Sequence, residues 1–478
     1  MNRSLAPADR AGRGTRAGAI CLAALLLPTA GCDRGAPTAS EFGPSAPNSL
    51  PASNTPSVLA RPRGTGTSPG PSSSHGPSAS TYPASPKAPV TRGMDVATAT
   101  AAPGPDLRGL RTIRVRGTDG TTTGPEQLLD DGGYVAVRSE PPGTRGDSSL
   151  ALGTQELGIV RNGALKVLAR NATETSGTLK GTRRQIIGTA LTSKHLVWVE
   201  TPSTDLNYCE WAVRVRDLAT GTTRQIAHSP VLQEGRRILR VFGETRPFVL
   251  GDRVYWAANT PLTSRPDPGK DSDWRYDLLS ARTDGRGGVT TIARAAALPA
   301  VDSGAVYYAT TTNTPSRAFR IHRLSATGPT SATVVATGRL RGESALTNLA
   351  AGKGRLVWTV SSPDAGQEWE KGTDTPGHVF VMDTATRDVV DVTTADEVSG
   401  NYSIAFGPGR VLWGNGSGNG DAGQYLLDLH ELRLHRLGRT QGFSTVLSAP
   451  GSSWIMWGSA CSSPEDGGTC WMAARWTG

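Results

Sequence analysis

Leu196-Val197-Trp198, Val254-Tyr255-Trp256, Val306-Tyr307-Tyr308, Leu356-Val357-Trp358, Val411-Leu412-Trp413 and Ile455-Met456-Trp457 are six copies of one short apolar run closed by an aromatic residue. Successive aromatics lie 58, 52, 50, 55 and 44 residues apart. Tyr134-Val135-Ala136-Val137, with Ala136 62 residues before Trp198, is a seventh copy that lacks the aromatic. A near-constant period in this range means a propeller or a solenoid, and units made of short β-runs select the propeller.

The rest of each unit fills in around the anchor. A polar Gly/Pro/Ser-rich loop follows it, then an alternating strand, a turn and another strand. Trp211 to Leu218 with Thr223 to Ala227, Tyr276 to Ala281 with Val289 to Ala293, and Val379 to Met382 with Val389 to Val392 are three such pairs. Period-two alternation bounded by turn residues marks half-buried antiparallel strands. A further apolar stretch precedes most anchors, for example Pro247-Phe248-Val249-Leu250. Four strands per unit make a blade. The expected fold is therefore all-β: a β-propeller of seven four-stranded blades, with six or eight as alternatives.

The final unit is short: Trp454 to Ser459, which holds its anchor run, and Cys470 to Trp476 supply only its second and third strands. The orphan strand Arg111-Thr112-Ile113-Arg114-Val115-Arg116 is expected to close the ring, because an unpaired blade edge is costly. Across residues 107–478 the texture resembles TolB-like and WD-repeat-like propellers. The Gly-His and Trp-Asp dipeptides of WD repeats are missing at fixed offsets, so the resemblance leans to the bacterial TolB-like or quinoprotein-like groups and implies the fold alone.

The N-terminus reads as an address. Arg3, Arg10, Arg13 and Arg16 precede the apolar run Ala17 to Leu27, which is too short to span a bilayer. Ala30-Gly31-Cys32 follows. This resembles a bacterial lipoprotein signal, in which Cys32 would carry the diacylglyceryl group. Thr29 stands where that family usually has Leu. The implied location is the outer face of the cell membrane. Residues 1–31 would be the signal peptide, 32–106 a tether and 107–478 the propeller. Of the 50 residues from Pro51 to Thr100, 37 are Pro, Ser, Thr, Gly or Ala. Such a segment cannot offset about 1–2 kcal/mol of backbone entropy per residue, so it is expected to be disordered. Its end-to-end distance would be roughly 50 Å.

The chain of 478 residues carries a net charge of +9. Residues 1–105 hold nine Lys/Arg and four Asp/Glu, which leaves +4 over the remainder, without runs. Nucleic-acid binding needs clustered cations, so no nucleic-acid partner is expected.

Motifs for chemistry are few. Cys461 and Cys470 flank a loop between adjacent strands, and an exported domain permits a disulfide there. Cys209 reads as a buried apolar thiol. The seven histidines show no zinc spacing, and His430 and His435 read as solvated turn residues. Asp271 and Asp273 could be part of a calcium loop, but Lys270 opposes it. No GxSxG precedes a helix, which argues against a hydrolase domain.

The repeated aromatics are expected to pack between blades. Trp274 and Trp369 break the period, and both are candidate contacts in binding loops. Trp369 sits between Glu368 and Glu370 in a charged loop, where an indole either pins the loop or contacts a partner. Loops joining the second and third strands share one face of the ring and are the variable ones. The expected function is a lipid-anchored, non-enzymatic binding module for an envelope protein or polymer, attached to the bilayer through Cys32. The alternatives are an enzyme on envelope polysaccharide or a quinone-type cofactor with its site at the channel mouth, and a structural subunit of a membrane-associated complex.

Overall fold

In a computed structural model the chain is an all-β, seven-bladed propeller. The structure describes residues 90–95, 98–101, 107–115, 119–140, 153–173, 175, 180–181, 183–201, 211–229, 246–263, 273–311, 318–326, 331–340, 345–361, 377–393, 399–416, 423–439, 446–449, 453–460 and 469–476. From the inner strand outward, blade 1 is Thr122–Leu128, Tyr134–Ser139, Gln155–Arg161 and Ala164–Arg170. Blade 2 is Gln185–Leu191, His195–Thr201, Ala212–Asp217 and Thr223–His228. Blade 3 is Phe248–Leu250, Arg253–Pro261, Trp274–Arg282 and Thr290–Arg294. Blade 4 is Ala296–Asp302, Ala305–Thr311, Ala318–Ser325 and Thr333–Arg339. Blade 5 is Ala345–Gly352, Arg355–Ser361, His378–Asp383 and Val389–Thr393. Blade 6 is Ser399–Gly407, Arg410–Gly416, Gly423–Asp428 and Arg433–Arg439. Blade 7 is Val446–Ser448, Trp454–Ala460 and Thr469–Trp476, with Leu107–Arg114 as its outer strand. Each innermost strand touches those of the blades before and after it, and blade 7 touches blade 1, so the ring is closed.

The anchor runs are apolar throughout because their strands are buried on both faces. Leu196 and Trp198 face blade 1, in one cluster with Val135 and Leu157. Val197 and Val199 face blade 3, in another with Val254 and Trp256. The same alternation recurs around the ring, and each hydrophobic cluster is one seam between neighbouring blades. The anchors Trp198, Trp256, Tyr308, Trp358, Trp413 and Trp457 are all buried. At the seam of blades 7 and 1 the anchor position is Ala136, and Trp471 and Trp454 of blade 7 supply the aromatic bulk instead.

The closing strand runs antiparallel to the third strand of blade 7, from Leu107↔Trp476 to Arg114↔Cys470. Before it, the chain follows the outside of two further blades. Thr91–Asp95 lies parallel to the outer strand of blade 5, and Thr100–Ala101 parallel to that of blade 6. The reading of 32–106 as an unstructured tether therefore stops short at its C-terminal end. Of Thr91–Asp95 only Met94 is more than slightly covered. An edge strand held mainly by main-chain hydrogen bonds needs no apolar pattern, so composition does not reveal it. This strap also explains His435, which is 6% exposed rather than solvated. It lies opposite Thr100 in the strand ladder and beside the Trp476 ring.

Antiparallel blades place alternate connections on opposite faces. Inner-to-second-strand turns such as 192–194, 251–252, 303–304, 353–354 and 408–409 are short. The third-to-outer turns share their face, and three repeat one device: Asp217, Asp383 and Asp428 each accept two main-chain N–H groups two and three residues on. This is the Asx geometry that favours aspartate at turn starts. The other face carries the long connections 140–154, 202–211, 262–273, 312–317, 362–377, 417–422 and 461–468.

Candidate functional site

The seven innermost strands surround the channel, and among the described residues a polar contact joins two non-adjacent blades there. In the inner strand of blade 1, Pro125 pairs with Ala136 and Gln127 with Val135, so Glu126 is the extra residue of a β-bulge. Bulges displace a side chain from the regular alternation and recur beside functional sites. Gln127 ties this strand to blade 2, donating to Leu191 O (3.1 Å) and accepting from Leu191 N–H (2.9 Å). Arg246 lies two residues before the inner strand of blade 3, and its Nη2 donates to the main-chain oxygen of Glu126 at 3.4 Å. Blades 1 and 3 are not neighbours. The contact therefore reaches across the opening inside the ring.

Both groups keep solvent access yet are walled in by the blades. Burial pushes the Glu126 carboxyl up to about 7, while the Arg246 charge pulls it back down. Burial likewise lowers the Arg246 pKa, opposed by Glu126. A carboxyl poised near neutrality beside a guanidinium can exchange a proton and can accept a cationic or hydrogen-bond donor group. Because the folded-state pKa lies above the ordinary 4.5, the folded state binds the extra proton. The contribution of this group to stability is then fully present below about pH 4.5 and is lost as pH rises through about 7. Glu126→Gln is expected to remove this slope, so that melting temperatures of wild type and variant diverge between pH 5 and 8 in the variant's favour. Superimposable pH profiles would contradict the assignment.

The residues singled out in the sequence fall as follows. Trp274 opens the third strand of blade 3, opposite Pro261, and is 7% exposed. Asp273 accepts a hydrogen bond from Leu262 N–H through its main-chain oxygen, while Asp271 lies outside the described residues. Among the described residues no three His, Cys, Asp or Glu side chains converge on a metal position. Cys470 is a disulfide cysteine. Its expected partner Cys461, together with Cys32, Cys209, Glu368, Trp369 and Glu370, lies outside the described residues. The Glu126–Arg246 contact escaped the sequence because nothing in either local pattern says that two residues 120 positions apart meet across a ring. Glu126 after Pro125, in a strand otherwise followed by an apolar anchor, is the one faint signal.

No family model matches the chain, and no curated protein matches it. Among solved structures, TolB from Acinetobacter baumannii is 13% identical, with 68% of this chain and 80% of that chain covered and a TM-score of 0.35. An oligogalacturonate lyase from Vibrio parahaemolyticus is 11% identical, with 77% and 96% covered and a TM-score of 0.47. A prolyl endopeptidase is 11% identical over 74% of this chain and 50% of that one, with a TM-score of 0.44. These are likenesses of fold.

Proposed function

We propose that this chain is a lipid-anchored, extracytoplasmic propeller that acts as a non-enzymatic binding module in the cell envelope. The observation that carries this reading is the asymmetry of the ring: short turns on one face, seven long connections on the other. A rigid scaffold presenting long loops is the usual arrangement for recognition. The N-terminal Ala30-Gly31-Cys32 and the Pro/Ser/Thr-rich stretch behind it supply the anchor and the reach. In this reading Glu368, Trp369 and Glu370 form part of the contact with an envelope protein or polymer, the indole as anchor and the carboxylates as rim. A second reading, an enzyme acting at the channel mouth, draws on the near-neutral carboxyl of Glu126.

Two variants test the first reading in cell fractions. Cys32→Ala should move the protein from the membrane pellet to the soluble fraction, since one lipid-modified cysteine is the proposed attachment. In that soluble form, Trp369→Ala should keep the melting temperature and weaken capture of envelope material about tenfold, near 1.4 kcal/mol. Continued membrane association of Cys32→Ala defeats the anchor, and unchanged capture defeats the role of Trp369.

A further inference from the structure

Thr91–Asp95 and Thr100–Ala101 come before the closing strand in the chain, so a pull on the N-terminal stretch meets them first. Along the outside of the ring the order is blade 5, blade 6, blade 7. Blades 5 and 6 are complete four-stranded sheets without these two strands, whereas blade 7 has three strands until Leu107–Arg114 is added. The ring therefore needs the closing strand and does not need the strap.

The two are attached in different ways. Thr91–Asp95 pairs in parallel from Thr91↔Val389 to Asp95↔Thr393. Val90 starts it with a clasp: its N–H donates to Asp388 Oδ1 at 2.9 Å, and its carbonyl accepts Val389 N–H at 2.9 Å. Thr91, Arg92, Gly93 and Asp95 are exposed, and a Cβ on Gly93 would touch nothing. Among the described residues of the strap, Met94 and Ala99 pack against the margin of the seam between blades 5 and 6. The closing strand instead enters two seams, with Leu107 in that of blades 6 and 7 and Ile113 in that of blades 7 and 1. Arg111 also donates to the Gly132 carbonyl of blade 1, and the Thr112 hydroxyl to Met472 Sδ. Edge pairing made mainly of solvent-exposed main-chain hydrogen bonds lies at the low end of local stability. The strap can thus open while the ring stays closed.

We propose that the strap is a strain relief for the ring: tension on the N-terminal stretch is taken up, and released, at the edges of blades 5 and 6 before it reaches the closing strand. The inference rests on the anchoring reading above, because tension arises when the N-terminal side is held. Release frees residues 90–106, up to about 60 Å of chain at about 3.5 Å per residue, and all seven blades keep four strands. Without the strap the same pull would act directly on Leu107. Loss of that strand would leave Thr469–Trp476 as an unpaired blade edge.

The test is single-molecule stretching of the full Cys32→Ala chain, held by its two ends. The first event should lengthen the chain by up to about 60 Å, at a lower force than the opening of the ring, and should reverse on relaxation. Arg92→Pro with Met94→Pro takes two main-chain donors out of the strap. This variant should lose the first event, open its ring at the wild-type force and keep the wild-type melting temperature. The proposal is overturned if the first event frees about 90 Å, the length of residues 90–114, since strap and closing strand then leave together. It is equally overturned if the ring opens at a lower force than the strap, or if the proline variant keeps the first event. A lower melting temperature in that variant also overturns it, because the strap would then be part of the ring's own stability. All of these outcomes are read on a chain without the lipid-bearing cysteine, so failure here is distinct from failure of the anchor, which the cell fractions test.

Discussion

Trp413→Ala is expected to destabilise the ring by about 3–5 kcal/mol, the cost of deleting a large buried aromatic from a packed core. Trp413 is fully buried at the seam of blades 5 and 6, among Val357, Val379, Phe406 and Leu427. Its ring stacks on Tyr425 with centroids 5.8 Å apart. Both neighbours are sheets whose strands are fixed by their own ladders, so the space left by the indole closes only in part. The indole N–H has no hydrogen-bond partner among the described residues, so the contribution of this residue is packing. Trp413→Phe should therefore cost clearly less than Trp413→Ala. Trp358→Ala should resemble Trp413→Ala, because Trp358 is 5% exposed and stacks on Phe380 at 5.2 Å. Val289, 45% exposed on blade 3, is the control; its truncation should stay within about 0.5 kcal/mol. Urea unfolding midpoints measure all four. An alanine variant at Trp413 or Trp358 that melts like wild type would contradict the seam packing.

The propeller was legible because its physics is local and repeated. Burial of the second strand on both faces writes a continuous apolar run, and seven such runs write the period. Closure by a strand near residue 111 was legible from the unfinished last unit, although the strand observed, Leu107–Arg114, begins earlier. The strap was not legible. Thr91–Asp95 pairs through its backbone in a stretch whose composition is that of a tether. Trp274 broke the period and drew attention as a surface contact, but it is covered at the start of a strand. Here spacing identified the exception without telling its cause. The polar contacts were the least visible. Glu126 with Arg246, and the arginines at the seam of blades 7 and 1, come from segments far apart in the chain, and only ring closure brings them together.

Glu200 is a third such case, holding Trp198, Ala172 and Arg214 together. Its carboxylate, at the end of the second strand of blade 2, is fully buried. One oxygen accepts the Trp198 indole N–H at 2.8 Å and the Ala172 N–H at 3.2 Å; the other accepts Arg214 Nε at 2.7 Å. The carboxylate thus fixes an anchor aromatic, the link from blade 1 to blade 2, and the neighbouring third strand at once. Arg214 is its only countercharge among the described ion pairs and is itself 23% exposed. Arg214→Ala should cost about 3–5 kcal/mol, because it leaves a buried charge uncompensated. Glu200→Gln on the same background should recover a large part of that loss, since a neutral amide still accepts from Trp198 and needs no countercharge. The sum of the two single losses should exceed the loss in the double variant, the non-additivity that coupled neighbours show. Additive losses, or an Arg214→Ala variant within about 0.5 kcal/mol of wild type, would mean that water or another cation already compensates Glu200. The blade 1 to blade 2 link would then be held by the hydrogen bonds alone, and removing their acceptor with Glu200→Leu would become the larger perturbation, leaving the Trp198 and Ala172 N–H groups buried without a partner.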